Sequence, residues 1–324
     1  MTVNSAEPAH TPAFDASPAE LRRMAVVLAE AAASHVRVRR RELGVGGGRA
    51  EGTEAKSSRV DPVTVVDRES EELIRRLVAS LRPGDAVFGE EFGGEQGIGE
   101  SGEQGGEQGG GEGAESSDTD SAPRTSGIRW IVDPIDGTVN FLYGIPAYAV
   151  SVACEKDGRI VAGAVADVAR ERVYHAAAGE GAVVRDASGR EESLHCSAPT
   201  DLGVSLVATG FAYAAERRAV QGALAADLLS DVRDIRRIGS AALDLCLLAS
   251  GGVDCYYEHG LNVWDWAAGA LIAAEAGAVV TLPGPDATSA DGDLVAAVAP
   301  SVADEFHGAL ESRGALEPIG TLGR

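Results

Sequence analysis

The alternation of apolar and polar positions opens on a polar stretch, residues 1–16, broken by Pro8 and Pro12; this predicts a disordered tail. Ser17-Pro18-Ala19-Glu20 carries the marks of a helix start: a hydroxyl N-cap, Pro at the first helical position and Glu three residues past the cap. Leu21, Met24, Val27, Leu28 and Ala31 follow at helical spacing, so the helix should run to Gly44. The arginines in 37–41 read as a solvated last turn that complements the helix dipole. Asp67 is expected to open a second helix over 68–81, closed by Arg82-Pro83-Gly84. A short apolar strand, 86–88, leads into Gly89-Glu90-Glu91. Beyond residue 127 the pattern changes to strands, expected at 128–133, 148–155, 160–167, 172–177 and 181–185, then at 205–209, 253–258, 278–282 and 294–299. Helices are expected over 214–229, from Ser240 to the Gly251-Gly252 pair, and over 264–276 with Gly277 just past the end. No repeat interrupts this order, which predicts layered α and β elements rather than a regular βαβ series.

Composition narrows the classes. At about 150 residues per domain, 324 residues allow two halves or one large domain. The formal charge of −22 argues against a nucleic-acid binder, which would present a basic face. No apolar run approaches the roughly 20 residues of a membrane helix, and residues 1–15 lack the features of a signal peptide, so a soluble cytoplasmic protein is expected. Cys154, Cys196, Cys246 and Cys255 form no C-x-x-C pair and read as reduced, buried thiols. The six histidines are equally dispersed, so any metal would be held by oxygen. Residues 93–127 hold 12 Gly and eight acids against one Arg; they cannot bury enough surface to order themselves and read as a disordered insert.

The densest chemical signal is Trp130-Ile-Val-Asp133-Pro134-Ile135-Asp136-Gly137-Thr138-Val-Asn140-Phe141. An apolar strand delivers Asp133 to its end, where Pro134 should stop ladder pairing, and Asp136-Gly137 allow a tight turn into a helix near Thr138. Two carboxylates leave one turn beside helix N-terminal N–H groups, a combination suited to a hard divalent cation and a phosphate. Glu90, after a buried strand, and Asp265, between two tryptophans, fit the same chemistry, as does Asp67. Taken singly, Asp67 and Asp265 read equally well as N-caps and Glu90 as a surface acid.

Taken together, these blocks resemble the inositol monophosphatases, lithium-sensitive phosphatases that depend on magnesium, and most closely their actinobacterial branch. The blocks are 56–67 (K-S-S-R-V-D-P-V-T-V-V-D), Gly89-Glu90-Glu91, the Trp130 motif, Arg236-Arg-Ile-Gly239-Ser240-Ala241-Ala242, and 258–277 with Trp264-Asp265. The resemblance implies an αβαβα sandwich, usually homodimeric, with a catalytic domain over 17–318 between the N-terminal tail and a short tail at 319–324. It implies one Mg²⁺ held by Glu90, Asp133 and the carbonyl of Ile135, and a second by Asp133, Asp136 and Asp265. Lys56 falls near a weak third metal position. Thr138 with Asp67 would position the attacking water, helped by Glu90. Gly137 and Thr138 would offer N–H groups to the phosphate beside Asp136, while Ala241 and Glu258 would contact inositol hydroxyls. The substrate so implied is a small phosphate monoester, first of all myo-inositol 1-phosphate, with no nucleic acid and no membrane as partner. Related phosphatases of histidinol phosphate, 3′-phosphoadenosine 5′-phosphate or fructose 1,6-bisphosphate share the metal site, and some bacterial relatives act in RNA metabolism. Physically the scheme is coherent: neighbouring carboxylates about 4 Å apart repel by around 1 kcal/mol per pair even in water, and two divalent cations would cancel the four acids.

Overall fold

The computed structural model describes residues 16–43, 53–55, 62–93, 126–284 and 287–320. Residues 1–15 of the N-terminal tail, Lys56 and most of the acidic insert lie outside these residues, whereas Ala16, expected in the tail, is buried against the first core. Helix α1 (Pro18–Glu42) starts as its sequence dictates: Ser17 Oγ accepts the Glu20 N–H, and the Glu20 carboxylate accepts the Ser17 N–H at 2.9 Å. The strands β1 (Thr53–Ala55) and β2 (Pro62–Thr64) pair antiparallel, and β2 runs straight into α2 (Val65–Leu81). The helix therefore begins three residues before the expected 68, and Asp67 sits inside its first turn rather than ahead of it.

Strands β3 (Ala86–Gly89) and β4 (Ile128–Asp136) pair in parallel. After the short helix α3 (Thr138–Tyr143), a meander follows: β5 (Ala149–Lys156), β6 (Arg159–Asp167), β7 (Arg172–Ala177), β8 (Ala182–Arg185) and β9 (Glu191–Ser193). These form a sheet of order β3-β4-β5-β6-β7-β8-β9. Next come β10 (Leu206–Thr209), α4 (Ala215–Leu228), β11 (Asp234–Arg236), α5 (Ala241–Ala249), β12 (Cys255–His259), α6 (Val263–Glu275), β13 (Val279–Thr281), β14 (Leu294–Val298) and α7 (Ala303–Glu311). Their strands make a second sheet, β11-β10-β12-β14-β13. Apart from α2, which starts three residues early, the elements expected from the sequence lie within two residues of these bounds, with one instructive exception at β4 and with β1, β2, β9, β11 and α7 not foreseen.

Three apolar layers hold the sheets. α1 lays Leu21, Ala25, Leu28, Ala29, Ala32 and Val36 on the first sheet, where Ala162, Ala164 and Ala166 of β6 receive them. Small residues on both sides let the helix approach closely and still bury nearly all of their surface. α5 and α6 fill the space between the sheets, packing Leu243, Leu245, Ala268 and Ile272 against Ile131, Val165, Tyr256 and Val295. Beyond the second sheet, Leu224 and Leu228 of α4 and Phe306 and Leu310 of α7 close the outer core. The result is the expected αβαβα sandwich. All four cysteines are thiols; Cys154, Cys246 and Cys255 are buried and Cys196 half-buried. Among the described residues, no helix is long and apolar enough to cross a membrane.

Candidate active site

Strand β4 does not stop at Pro134, as its sequence led us to expect. It pairs with β5 through Asp133↔Ser151, skips, and resumes at Asp136↔Ala149. Pro134 removes one ladder donor, and the chain absorbs the gap as a bulge instead of ending the strand. The bulge changes which face each side chain takes. Ile128, Trp130 and Val132 point to the α1 side, and Ile131 points to the α5/α6 side. Strict alternation would send Ile135 with Ile131, yet Ile135 packs on the α1 side. Parity has flipped, so Asp133 and Asp136, three positions apart, share a face. Asp133 supports this turn itself, its Oδ1 accepting the Ile135 N–H at 3.0 Å.

Gly137 then adopts φ 89°, and a Cβ there would stand 2.9 Å from the Ala147 carbonyl, so only glycine fits. Thr138 Oγ1 donates back to the Ile135 carbonyl at 2.9 Å. Asn140, buried, donates from Nδ2 to the carbonyls of Ala147 and Ile238, both at 2.8 Å. That amide joins the turn to the loop before α5, which explains the asparagine of the motif. Asp136 Oδ2 in turn accepts Ser240 Oγ–H at 2.6 Å and the Ala242 N–H at 2.7 Å at the start of α5. From α6, Asp265 Oδ2 accepts the Asn262 N–H at 2.7 Å, so it is a capping residue as well as a site candidate. The two readings of that residue do not compete.

A cavity of about 400 Å³ opens where these elements meet. Its walls include Glu90, Asp133, Ile135, Asp136, Gly137, Thr138, Ala241, Glu258 and Asp265. Asp67 is buried and is not on the cavity wall; its charge nonetheless reaches Asp133. Lys56 falls outside the described residues. Burial first, then the charges of Glu90, Asp136, Asp265 and Asp67, hold the Asp133 carboxyl well above the usual carboxylate range. Burial followed by Glu90 and Asp136 does the same to Asp265. Asp136 is raised by burial to about 6, the Ser240 and Ala242 hydrogen bonds restraining it. Glu258 is raised by burial to about 7, against the pull of Tyr256 and Arg237. Like charges thus face one another in a space that discourages each from ionising. Among the described residues no three acidic, histidine or cysteine side chains close on one point at metal-ligand distance. The acids ring the cavity, and the hydrogen bonds just described hold Asp133, Asp136 and Asp265 to its walls.

Two cations on the wall had drawn no reading from the sequence. Arg237 precedes α5, and Arg217 of α4 donates to the carbonyls of Ser289 and Ala290. Only packing brings Arg217 here, whereas Arg237 lies inside the motif at 236–242, so the sequence carries a local signal for it.

Residues 18–314 match the model of the inositol monophosphatase family. The chain is 51% identical over 310 residues to the inositol-1-monophosphatase of Mycobacterium leprae, which covers 94% of this chain and 98% of that protein. It is 36% identical over 248 residues to the Nus factor SuhB of Pasteurella multocida, covering 76% and 81%. Among solved structures, Mycobacterium tuberculosis SuhB superposes with a TM-score of 0.73 at 44% identity, over 94% of this chain and all of that one.

Proposed function

The chain belongs to the inositol monophosphatase family, and from that premise we propose that it is a Mg²⁺-dependent phosphomonoesterase acting on myo-inositol 1-phosphate. The observation that carries this reading is the β4 bulge, which turns Asp133 and Asp136 into one cavity with Glu90 and Asp265. The donor set suits a hard cation: carboxylates plus the Ile135 carbonyl, all oxygen, with no thiol or imidazole on the wall among the described residues. Glu90, Asp133, Ile135 and then Asp133, Asp136, Asp265 would hold two ions, and Lys56 would lie near a third position. Bound Mg²⁺ supplies neutralisation of the phosphate charge and a lowered pKa for the attacking water.

The remaining steps belong to the chain's own groups. Thr138 commits its hydroxyl proton to the Ile135 carbonyl, so toward a water it acts as an acceptor and orients a proton away from the phosphorus. Asp67 behind Asp133, together with Glu90, would complete the environment of that water. Gly137 and Thr138 would offer N–H groups to the phosphate beside Asp136. Ala241, whose N–H leans toward Asp136, and Glu258 would meet the hydroxyls of the leaving group. Water oxygen bonds to phosphorus as the ester P–O bond breaks, and the departing alkoxide takes a proton. Homodimerisation, lithium sensitivity and a cytoplasmic setting belong to the same proposal.

A panel of phosphate esters with free phosphate as readout tests the reading. Inositol 1-phosphate should give the largest kcat/KM among inositol, histidinol, nucleotide and fructose phosphates, and EDTA should abolish turnover until Mg²⁺ is restored. No release from any ester at saturating Mg²⁺ would remove the enzyme reading. It would favour instead the role of the relatives named Nus factors.

A further inference from the structure

Glu258 is gripped from several sides before any substrate arrives. Tyr256 and Glu258 lie two apart on β12 and so share a face. Tyr256 is fully buried, and its hydroxyl donates to Glu258 Oε2 at 3.0 Å. Across from it, the backbone of Gly210 at the end of β10 packs straight onto the carboxylate; a methyl group at Gly210 would overlap Cδ and both oxygens. Here glycine is required for space and not for backbone conformation. The second face of the carboxylate looks into the cavity, where both Gly210 and Glu258 are wall residues. A carboxylate that must accept hydrogen bonds from hydroxyls gains little from chemistry and much from direction, because a mobile side chain would lose rotamer freedom on each binding event.

We propose that Tyr256 and Gly210 are positioning residues for polyol recognition: they fix the Glu258 carboxylate so that it accepts from hydroxyls of the leaving group, and thereby set the preference for polyol phosphates over esters without hydroxyls. This rests on reading the cavity as a phosphatase site. Tyr256 has a second effect of the same sign. The titratable and charged groups whose fields meet that of Glu258 are Tyr256 on its own face of β12, Tyr257 on the opposite face, Arg237 ahead of α5, Asp244 on α5, Asp136 on β4 and Asp265 on α6. Burial raises Glu258 to about 7, while the Tyr256 hydrogen bond and Arg237 lower it. Losing the hydroxyl therefore leaves Glu258 protonated to higher pH, and a protonated acid has lost acceptor capacity.

The test compares inositol 1-phosphate with p-nitrophenyl phosphate at saturating Mg²⁺ across pH, in Tyr256→Phe, Gly210→Ala and Glu258→Gln. The ratio of their kcat/KM values should fall about tenfold in Tyr256→Phe, the size of one well-placed hydrogen bond to a charged group. Its acid limb should also move to higher pH. Gly210→Ala, which displaces the carboxylate outright, should lower the ratio at least as far. A proportional loss on both substrates in Tyr256→Phe and Gly210→Ala, or no change in either, would overturn the positioning role, provided Glu258→Gln still lowers the ratio. If Glu258→Gln leaves the ratio untouched, the polyol reading of the cavity itself falls.

Discussion

Under α1 and α2, buried and half-buried carboxylates meet cations. Asp85 accepts from Arg82 Nε at 2.8 Å and from Trp130 Nε1 at 2.9 Å; Glu71 faces Arg75, and Glu69 takes Arg39 Nε at 2.6 Å. On the other side of β4, Asp133, Asp136, Glu90 and Asp265 face mainly one another, with Arg217 and Arg237 on the cavity wall. The first arrangement relieves the cost of burying charge; the second accumulates it. Paired acids serve the fold. Acids gathered without enough cations mark a place where the balance is completed from outside, and two divalent ions would complete it.

The sharpest way to break this contrast is Asp133→Asn. Volume is kept, the shared ligand loses its charge, and kcat should fall by at least ~10³-fold. The folded protein should not suffer: in EDTA its melting temperature should match or exceed that of the parent, since one repelling acid is gone. Mg²⁺ should raise the parent's melting temperature by mass action and raise the variant's less. Normal turnover in Asp133→Asn, or melting curves indifferent to Mg²⁺ in the parent, would mean that the cavity acids do not act together.

The paired region should respond in the opposite way. Asp85→Ala leaves a half-buried Arg82 and a buried indole N–H without their acceptor, a loss on the order of 3 kcal/mol in unfolding free energy. Urea unfolding measures it. The kcat per folded molecule should stay close to that of the parent, and a selective loss of turnover with unchanged stability would reverse the assignment of the two regions.

How far these regions could be read from the sequence follows from where their information lies. The start of α1 was legible because Ser17, Pro18 and Glu20 form a local cap, and the meander because its strands are long and apolar. β9 and β11 were missed: each is three residues, and Glu191–Ser193 is exposed throughout, so no apolar pattern marks it. α7 commits only Phe306 and Leu310 to the core, too thin a stripe to signal. At the site, the residue types around Asp133 and Asp136 were visible, but their shared face was not. Pro134 reads locally as a stop, and only pairing with β5 on the far side of the gap turns that stop into a bulge. The placement of Arg217 depends on how α4 packs beside residues 287–290, which no local pattern encodes.

Asp244 offers the finest test of the contrast, because it carries the cavity's charge imbalance into the core. It lies on α5, buried, with Oδ1 lacking a hydrogen-bond partner. Burial, then Glu258 and Asp136, raise its carboxyl well above the usual range, and Arg237 only partly opposes them. The folded protein therefore holds this proton after the unfolded chain has released it near pH 4. Below that pH both states are protonated and no penalty exists. Above it the unfolded state gains from ionisation, and folding loses stability with each rise in pH until the folded pKa is reached. Asn has nearly the shape of the neutral acid and does not titrate. Asp244→Asn should thus melt a few degrees higher than the parent at pH 7–8 in EDTA, given that about 1 kcal/mol moves Tm by ~2–4 °C in larger domains. The gap should close toward pH 4. A gap independent of pH, or a variant less stable at pH 8, would mean that Asp244 is ionised and satisfied in the fold, and that the imbalance of charge ends at the cavity wall.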